Sequence, residues 1–406
     1  MINPSARRRV RRRRRGRDTH DRRIDPAGVV VAGCGAVLLY VLAGYPLVAG
    51  ALGRLRPRPV DSDPTFLPRI SVVIAALDEG KAIEAKLANC RELAYPRDLM
   101  EIVVVADGST DDTAEKAARH DGVVVIHEPV RSGKSSALMR GVGAATGDVL
   151  VFTDANNVLL PGSLHELVSA LADPTVGCVT GRKAIDDGSG RPLDAAEGAY
   201  WRYEAMIRRW ENRWGSVSSV NGELLALRRE AVVPLSPSTI NDDFTLAMEA
   251  AIGGWRIAYA EGAISLEPAS ASTAEESVRR ERIVAGRWVA LRHVLARLAR
   301  RDPVLAWQVV SHKALRLAVP VAAGGVALGT AAALTRRRWA ALLAAMQVGF
   351  YGMAVVGWQL ERRRVRSLVT YLPYHLVRMN VATIRGVVSA MRDPASLIRW
   401  RRVERG

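Results

Sequence analysis

An α/β fold around a mostly parallel sheet is predicted by three observations. Apolar runs of strand length alternate with helical segments, each run ends in a turn, and acids stand in those turns. Ile70–Ala76 (ISVVIAA) reads as a strand buried on both faces. Leu77-Asp78-Glu79-Gly80 and an amphipathic helix to about Leu93 follow it. Val103–Ala106 is a second strand, ending on Asp107, turning through Gly108-Ser109-Thr110 and entering a helix with Asp111 and Asp112 in its first turn. Acids there suit the positive end of a helix dipole, whereas Asp107 stands at a strand's carboxyl end, where open α/β sheets bind ligands. Val123–Ile126 and Val149–Phe152 complete the pattern, the latter running into Thr153-Asp154-Ala155-Asn156-Asn157. Glu79, Asp107 and Asp154 thus share one sheet edge, and their mutual repulsion predicts a cation or cationic ligand between them.

Three further segments are long and apolar enough for a bilayer: Ala27–Gly53 without a charge, Leu317–Thr335 between arginines, and Trp339–Leu360. Ser367–Met391, interrupted by His375, Arg378 and Arg385, either spans with internal partners or lies in the interface. The net charge of +17 is concentrated at the ends. Residues 1–26 hold 11 Arg against 3 Asp, and residues 361–406 hold 11 Arg against 3 acids, which leaves the middle close to neutral. Arginines flanking apolar segments fit anionic headgroups and argue against a nucleic-acid groove. If residues from about 60 to 310 faced the cytoplasm, a single span at 27–53 would place the N-terminal arginines outside, against the positive-inside rule. A re-entrant hairpin broken near Gly44-Tyr45-Pro46 is one resolution. Cys34, Cys90 and Cys178 offer no Cys-x-x-Cys, so neither a disulfide framework nor a thiolate zinc site is expected.

Five segments in this order resemble the membrane-bound glycosyltransferases of family two, the group of cellulose, hyaluronan and chitin synthases and bacterial exopolysaccharide enzymes. They are ISVVIAALDEG (70–80), VVVADGSTDDT (103–113), RSGKSSALMRG (131–141), FTDANN (152–157) and INDDF (240–244). The resemblance implies a GT-A (Rossmann-like) catalytic domain over residues 65–300. The expected order is a basic disordered tail (1–26), a span (27–53), that domain, an interfacial amphipathic helix (301–316), a membrane region of two to three helices (317–391) and a basic tail (392–406).

The same resemblance implies an inverting sugar transfer from a nucleotide donor, UDP-linked, to a polysaccharide or lipid-linked acceptor at the cytoplasmic membrane face. Asp107 would bind the base, with Leu77 and Glu79 on the same wall; Ala106 stands where many relatives carry a second Asp. Asp154-Ala155-Asn156 occupies the Asp-x-Asp position, where Mg²⁺ or Mn²⁺ takes hard oxygen ligands. Lys134 would add charge near the diphosphate. An ATP-binding P-loop is excluded there, because the required glycine is Glu128. Asp243 matches the catalytic base, beside Asp242. Arg279 and Arg282 fall in the Gln-x-x-Arg-Trp segment, with Arg282 the diphosphate-gripping arginine, Arg279 replacing Gln and Ile283 replacing Trp. Trp201, Asn221 and Gly222 fit the acceptor side. Two other readings stay open: a polyprenyl-phosphate sugar transferase, and a non-catalytic nucleotide-sugar sensor on the same fold.

Overall fold

The computed structural model describes residues 25–186, 192–268, 272–363, 365 and 367–393, so nearly all of both basic tails lies outside the described residues. Eight strands form one sheet: β1 (Ile70–Ala76), β2 (Met100–Asp107), β3 (Val123–Glu128), β4 (Val149–Thr153), β5 (Val158–Leu159), β6 (Val176–Asp186), β7 (Leu225–Arg228) and β8 (Arg256–Pro268), in the order β3-β2-β1-β4-β7-β6-β8-β5. β1 to β4 pair in parallel, β7 runs antiparallel between β4 and β6, and β6 pairs in parallel with β8. Period-two alternation divides the core. Val73, Val103 and Val105 pack on one face, and Val72, Ile74 and Val104 on the other. Both faces are therefore buried, which is why β1 and β2 read as unbroken apolar runs.

The helices, in chain order, begin with α1 (Pro26–Leu39), α2 (Tyr45–Leu55), α3 (Ile83–Glu92), α4 (Thr113–Ala118), α5 (Lys134–Ala144) and α6 (Ser163–Ser169). There follow α7 (Pro192–Asn212), α8 (Asp242–Ile252), α9 (Thr273–Arg301), α10 (Pro303–Val309), α11 (Leu315–Ala333), α12 (Arg338–Arg362) and α13 (Leu368–Arg392).

Among the described residues, three continuous helices are long and apolar enough to cross a membrane: Pro26–Leu55, Pro303–Ala333 and Arg338–Arg362. Val321, Leu328, Leu342 and Val348 stand exposed on the last two, as lipid-facing side chains would. The hairpin considered near Pro46 does not form. A π-turn at Tyr40–Gly44, in which the Tyr45 N–H donates to Tyr40 C=O, carries the helix past the proline's missing donor. Nor is 301–316 a separate interfacial helix. α10 passes through a second π-turn, Val310–Ala314, into α11, and Gln308, Ser311, His312 and Lys313 are buried within the protein. The 367–391 segment is helix α13, which packs along α9 and α12 and is not among the three.

Small residues set the helix spacing. A Cβ on Gly325 would lie 2.4 Å from Cys34 Sγ, and one on Gly329 2.7 Å from Val31 Cγ2, so this Gly-x-x-x-Gly stripe lets α11 close on α1.

Candidate active site

The loops after β1, β2 and β4 meet as the alternation predicts, and neighbouring loops hold one another. Asp78, at φ 52°, donates its N–H to Ser109 Oγ (3.1 Å) and accepts from the Thr110 N–H (2.7 Å). Asp111 accepts from the Gly80 N–H at 2.9 Å, and the Glu79 N–H donates to Thr113 Oγ1 at 2.8 Å. These acids and hydroxyls are turn scaffolding.

Asp107 is only 4% exposed. Its carboxylate accepts from the Ser132 N–H (2.9 Å), the Gly133 N–H (2.7 Å) and Arg140 Nη1 (2.9 Å). It thereby fixes the 131–134 loop, and Gly133, at φ 98°, supplies the turn into α5. Lys134 opens that helix and reaches Asp154 Oδ1 at 2.7 Å and Asp242 Oδ2 at 3.8 Å. Burial raises the Asp154 carboxyl, but Lys134 outweighs it and holds it below its ordinary value. Two of the chain's own cations thus stand against the edge acids, Arg140 at Asp107 and Lys134 at Asp154.

Beneath the Asp154 loop lies Lys86, fully buried in α3. Its ammonium donates to Thr153 Oγ1 (2.9 Å), Asn157 C=O (3.0 Å) and Asn157 Oδ1 (2.9 Å), and burial lowers its pKa to about 8. Asn157 in turn donates to Ser265 Oγ and Glu223 C=O, locking the 153–157 loop to the second half of the sheet.

Asp242 and Asp243 open α8. Asp243 Oδ1 accepts from its neighbour's N–H, Phe244, at 2.7 Å and from Asn241 Nδ2 at 3.1 Å. Burial first, and then the Asp242 charge, push the Asp243 carboxyl up to about 6. Gly222 makes room for it, since a Cβ there would stand 3.0 Å from Asp243 Cβ and 3.2 Å from Oδ2.

Asn221 is turned inward. It donates its N–H to Thr180 Oγ1 and Nδ2 to Gly181 C=O, and accepts from the buried Arg208, so it holds the loop that carries Gly222. Trp201 packs edge-on against Tyr200 with Lys183 Nζ 5.1 Å from its ring centre. Lys183 itself bonds Glu223 and Glu267, and Arg279 joins this network through Glu276 (2.7 Å), Glu267 (3.4 Å) and Glu197 (3.6 Å). Arg279 is therefore engaged by carboxylates, a support for the site wall.

One cavity of about 610 Å³ joins these groups. It is bordered by every site residue named from the sequence: Leu77, Glu79, Asp107, Lys134, Asp154, Asn156, Trp201, Asn221, Gly222, Asp242, Asp243, Arg279 and Arg282. It is also lined by Val41 and Leu42 after α1, Val319 of α11 and Leu372, Leu376 and Met379 of α13, together with the charged Arg280, Arg287, Lys313 and Arg316. Sequence reasoning missed Lys86, Lys183, Glu223 and Glu267. A signal existed for Lys86 alone, whose spacing from Ile83, Leu87 and Cys90 places it on the buried face of α3.

Residues 71–233 match the sequence profile described as Glycosyl transferase family 2. The probable glycosyltransferase YdaM of Bacillus subtilis (strain 168) is 30% identical over 215 residues, covering 50% of this chain and 51% of that protein. The poly-beta-1,6-N-acetyl-D-glucosamine synthase of Staphylococcus aureus (strain COL) is 26% identical over 200 residues, 48% of each. The chain spans about half the length of these curated relatives. Among solved structures, mannosyltransferase PcManGT from Pyrobaculum calidifontis, in complex with GDP-Man and Mn2+, is similar at a TM-score of 0.68 and 27% identity, over 90% of this chain and 99% of that one. The chain carries a glycosyltransferase family 2 domain on a GT-A fold, flanked by three helices long and apolar enough to cross a membrane.

Proposed function

We propose that this protein is an inverting glycosyltransferase at the cytoplasmic face of the cell membrane. It moves a sugar from a nucleoside diphosphate donor, UDP-linked, to a glycan or lipid-linked acceptor. The observation that carries this reading is one cavity that joins the strand-end loops to side chains of α11 and α13, with Asp243 on its wall. The acceptor hydroxyl gives its proton to Asp243 as its oxygen attacks the anomeric carbon. The bond from that carbon to the diphosphate breaks on the opposite side, which inverts configuration. Lys134 and Arg282 take up charge on the departing diphosphate. Asp107 acts at one remove, by holding the loop that presents Lys134.

Asp154 and Asn156 both border the cavity, but among the described residues no three His, Cys, Asp or Glu side chains are grouped for a metal. Such a two-residue set fits Mg²⁺ or Mn²⁺ when diphosphate oxygens and water complete the shell. The ion would supply further positive charge against the leaving group; the relative solved with GDP-Man and Mn2+ supports this assignment. The test is transfer from a panel of radiolabelled nucleotide sugars by membranes containing the protein or its Asp243→Asn variant. Transfer by the parent and its loss in the variant are expected; turnover that survives the substitution would refute the assigned base.

A further inference from the structure

Sugar transfer as described makes no use of Lys86. It stands on α3 among Ile83, Leu87 and Cys90, on the face that packs into the core, where an apolar side chain would be buried at lower free energy. Lys86 is only 2% exposed. All three of its ammonium hydrogens go to uncharged oxygens, Thr153 Oγ1 at 2.9 Å, Asn157 C=O at 3.0 Å and Asn157 Oδ1 at 2.9 Å. One turn further along the same helix, Asn89 donates Nδ2 to Leu159 C=O and accepts from the Leu159 N–H, each at 2.9 Å. Thus α3 grips the chain at the start of the Asp154 loop and again at its end.

A second hold comes from the far side of the sheet. Asn157 Nδ2 donates to Ser265 Oγ of β8 at 2.6 Å and to Glu223 C=O at 3.1 Å. Burial alternates along the loop. Thr153, Ala155 and Asn157 are buried, whereas Asp154 and Asn156 are partly exposed and border the cavity. The polar clamps therefore act on the positions that flank the two residues assigned to the metal.

We infer that Lys86 is a positioning residue for sugar transfer, whose ammonium holds the 153–157 loop in the one shape that presents Asp154 and Asn156 together to the donor diphosphate and its ion. The inference rests on the transferase reading. Three donors on one nitrogen tie both ends of a five-residue turn, as an apolar side chain could not, and a loop fixed in advance needs no ordering when ligand arrives. A role through charge alone has the opposite sign. A cation beneath a cation site repels the ion, so its removal would tighten Mn²⁺ binding.

The test uses the full chain in phosphatidylcholine nanodiscs with two variants. Lys86→Met keeps an unbranched side chain without the ammonium, and Thr153→Val keeps the ammonium and removes one of its three acceptors. Hydrogen–deuterium exchange reads the loop without donor or metal. Exchange of the 153–159 amides is expected to rise at least about tenfold in Lys86→Met and less in Thr153→Val, with β2 unchanged. Mn²⁺ affinity in the presence of uridine diphosphate, read by electron paramagnetic resonance, is expected to fall about 10- to 100-fold in Lys86→Met and about threefold in Thr153→Val. Unaltered exchange in both variants would overturn the positioning role. Unaltered or tighter Mn²⁺ binding, with only the melting temperature lowered, would make Lys86 a support of the core and overturn it as well. Failure of the parent to bind Mn²⁺, with exchange as expected, would refute the metal at Asp154 and Asn156 while Lys86 still holds their loop. Should Lys86→Met not fold, Thr153→Val decides by the same two measurements.

Discussion

Asp243 gives the sharpest quantitative expectation. Lifting a carboxyl from 3.8 to about 6 corresponds to roughly 3 kcal/mol of preference for the neutral form. The sign follows from the role. A base must be ionised, so activity is present above the raised pKa and is lost as pH falls through it. At pH 7 about nine tenths of the molecules carry the active carboxylate, and at pH 5 about one tenth. The profile of kcat/KM against pH, measured with a radiolabelled nucleotide sugar from pH 4.5 to 8.5, should therefore show an acid limb centred near 6. Asp242→Asn removes the second cause of the shift and leaves the first, burial, so the limb should move down by about half a unit to one unit. Asp243→Asn should lower kcat by about 10²- to 10⁴-fold, the usual worth of general base catalysis. A limb that stays in place in Asp242→Asn, or that persists in Asp243→Asn, would show that another group titrates and would refute the reasoning.

Gly222→Ala puts a methyl about 3 Å from the same carboxylate, so kcat should fall by at least about tenfold with donor affinity unchanged, as single-turnover and titration measurements would show. Lys134→Gln removes the cation at Asp154 and should weaken nucleoside diphosphate binding about tenfold in calorimetry. Chelation by EDTA should abolish transfer and added Mn²⁺ or Mg²⁺ restore it, whereas full activity in chelator would show that Asp154 and Asn156 hold no required ion. Gly329→Leu cannot be accommodated against Val31 and Ala27, so it should lower the melting temperature of the purified protein by several degrees, while Val321→Leu on the exposed face should not.

The first half of the sheet was readable because β1, β2 and β4 are buried on both faces, which makes each an apolar run with a turn after it, and the edge strand β3 keeps the apolar run Val123–Ile126. β6 and β8 were not. They carry Arg182, Lys183, Glu261 and Glu267 among their apolar residues, and the last three are held by partners far away in sequence, as Lys183 is by Glu223 and Glu261 by Arg209. No local pattern encodes such pairing. The same limit applies within the site. Motif order brought Asp107, Asp154 and Asp243 to one cavity, but only the structure turns Asp107, Asn221 and Arg279 toward loops and carboxylates that they support. The first span was legible as apolar, and its continuity past Pro46 was not, because a π-turn depends on what packs beside it.

Those two π-turns lie against one another, and their contacts decide whether the membrane helices merely tether the catalytic domain. Tyr40 and Ser311 share a hydrogen bond of 2.8 Å, the Tyr45 ring stacks on His312 at 5.7 Å, and the Tyr45 hydroxyl donates to Glu211 of α7. His312 reaches Glu211 and Glu204, each at 3.3 Å, and Ser218 Oγ at 2.8 Å. The two cations ion-paired to Glu204, Lys313 and Arg316, come from the helix Pro303–Ala333, while Glu204 itself belongs to α7, as does Trp201. Without the helix Pro303–Ala333, Glu204 would lose Lys313, Arg316 and His312, and Glu211 would lose His312 while keeping Tyr45 and Ser218. The glycosyltransferase domain and the helix Pro303–Ala333 thus share one buried polar network, in which α7 rather than a flexible linker sets their relation.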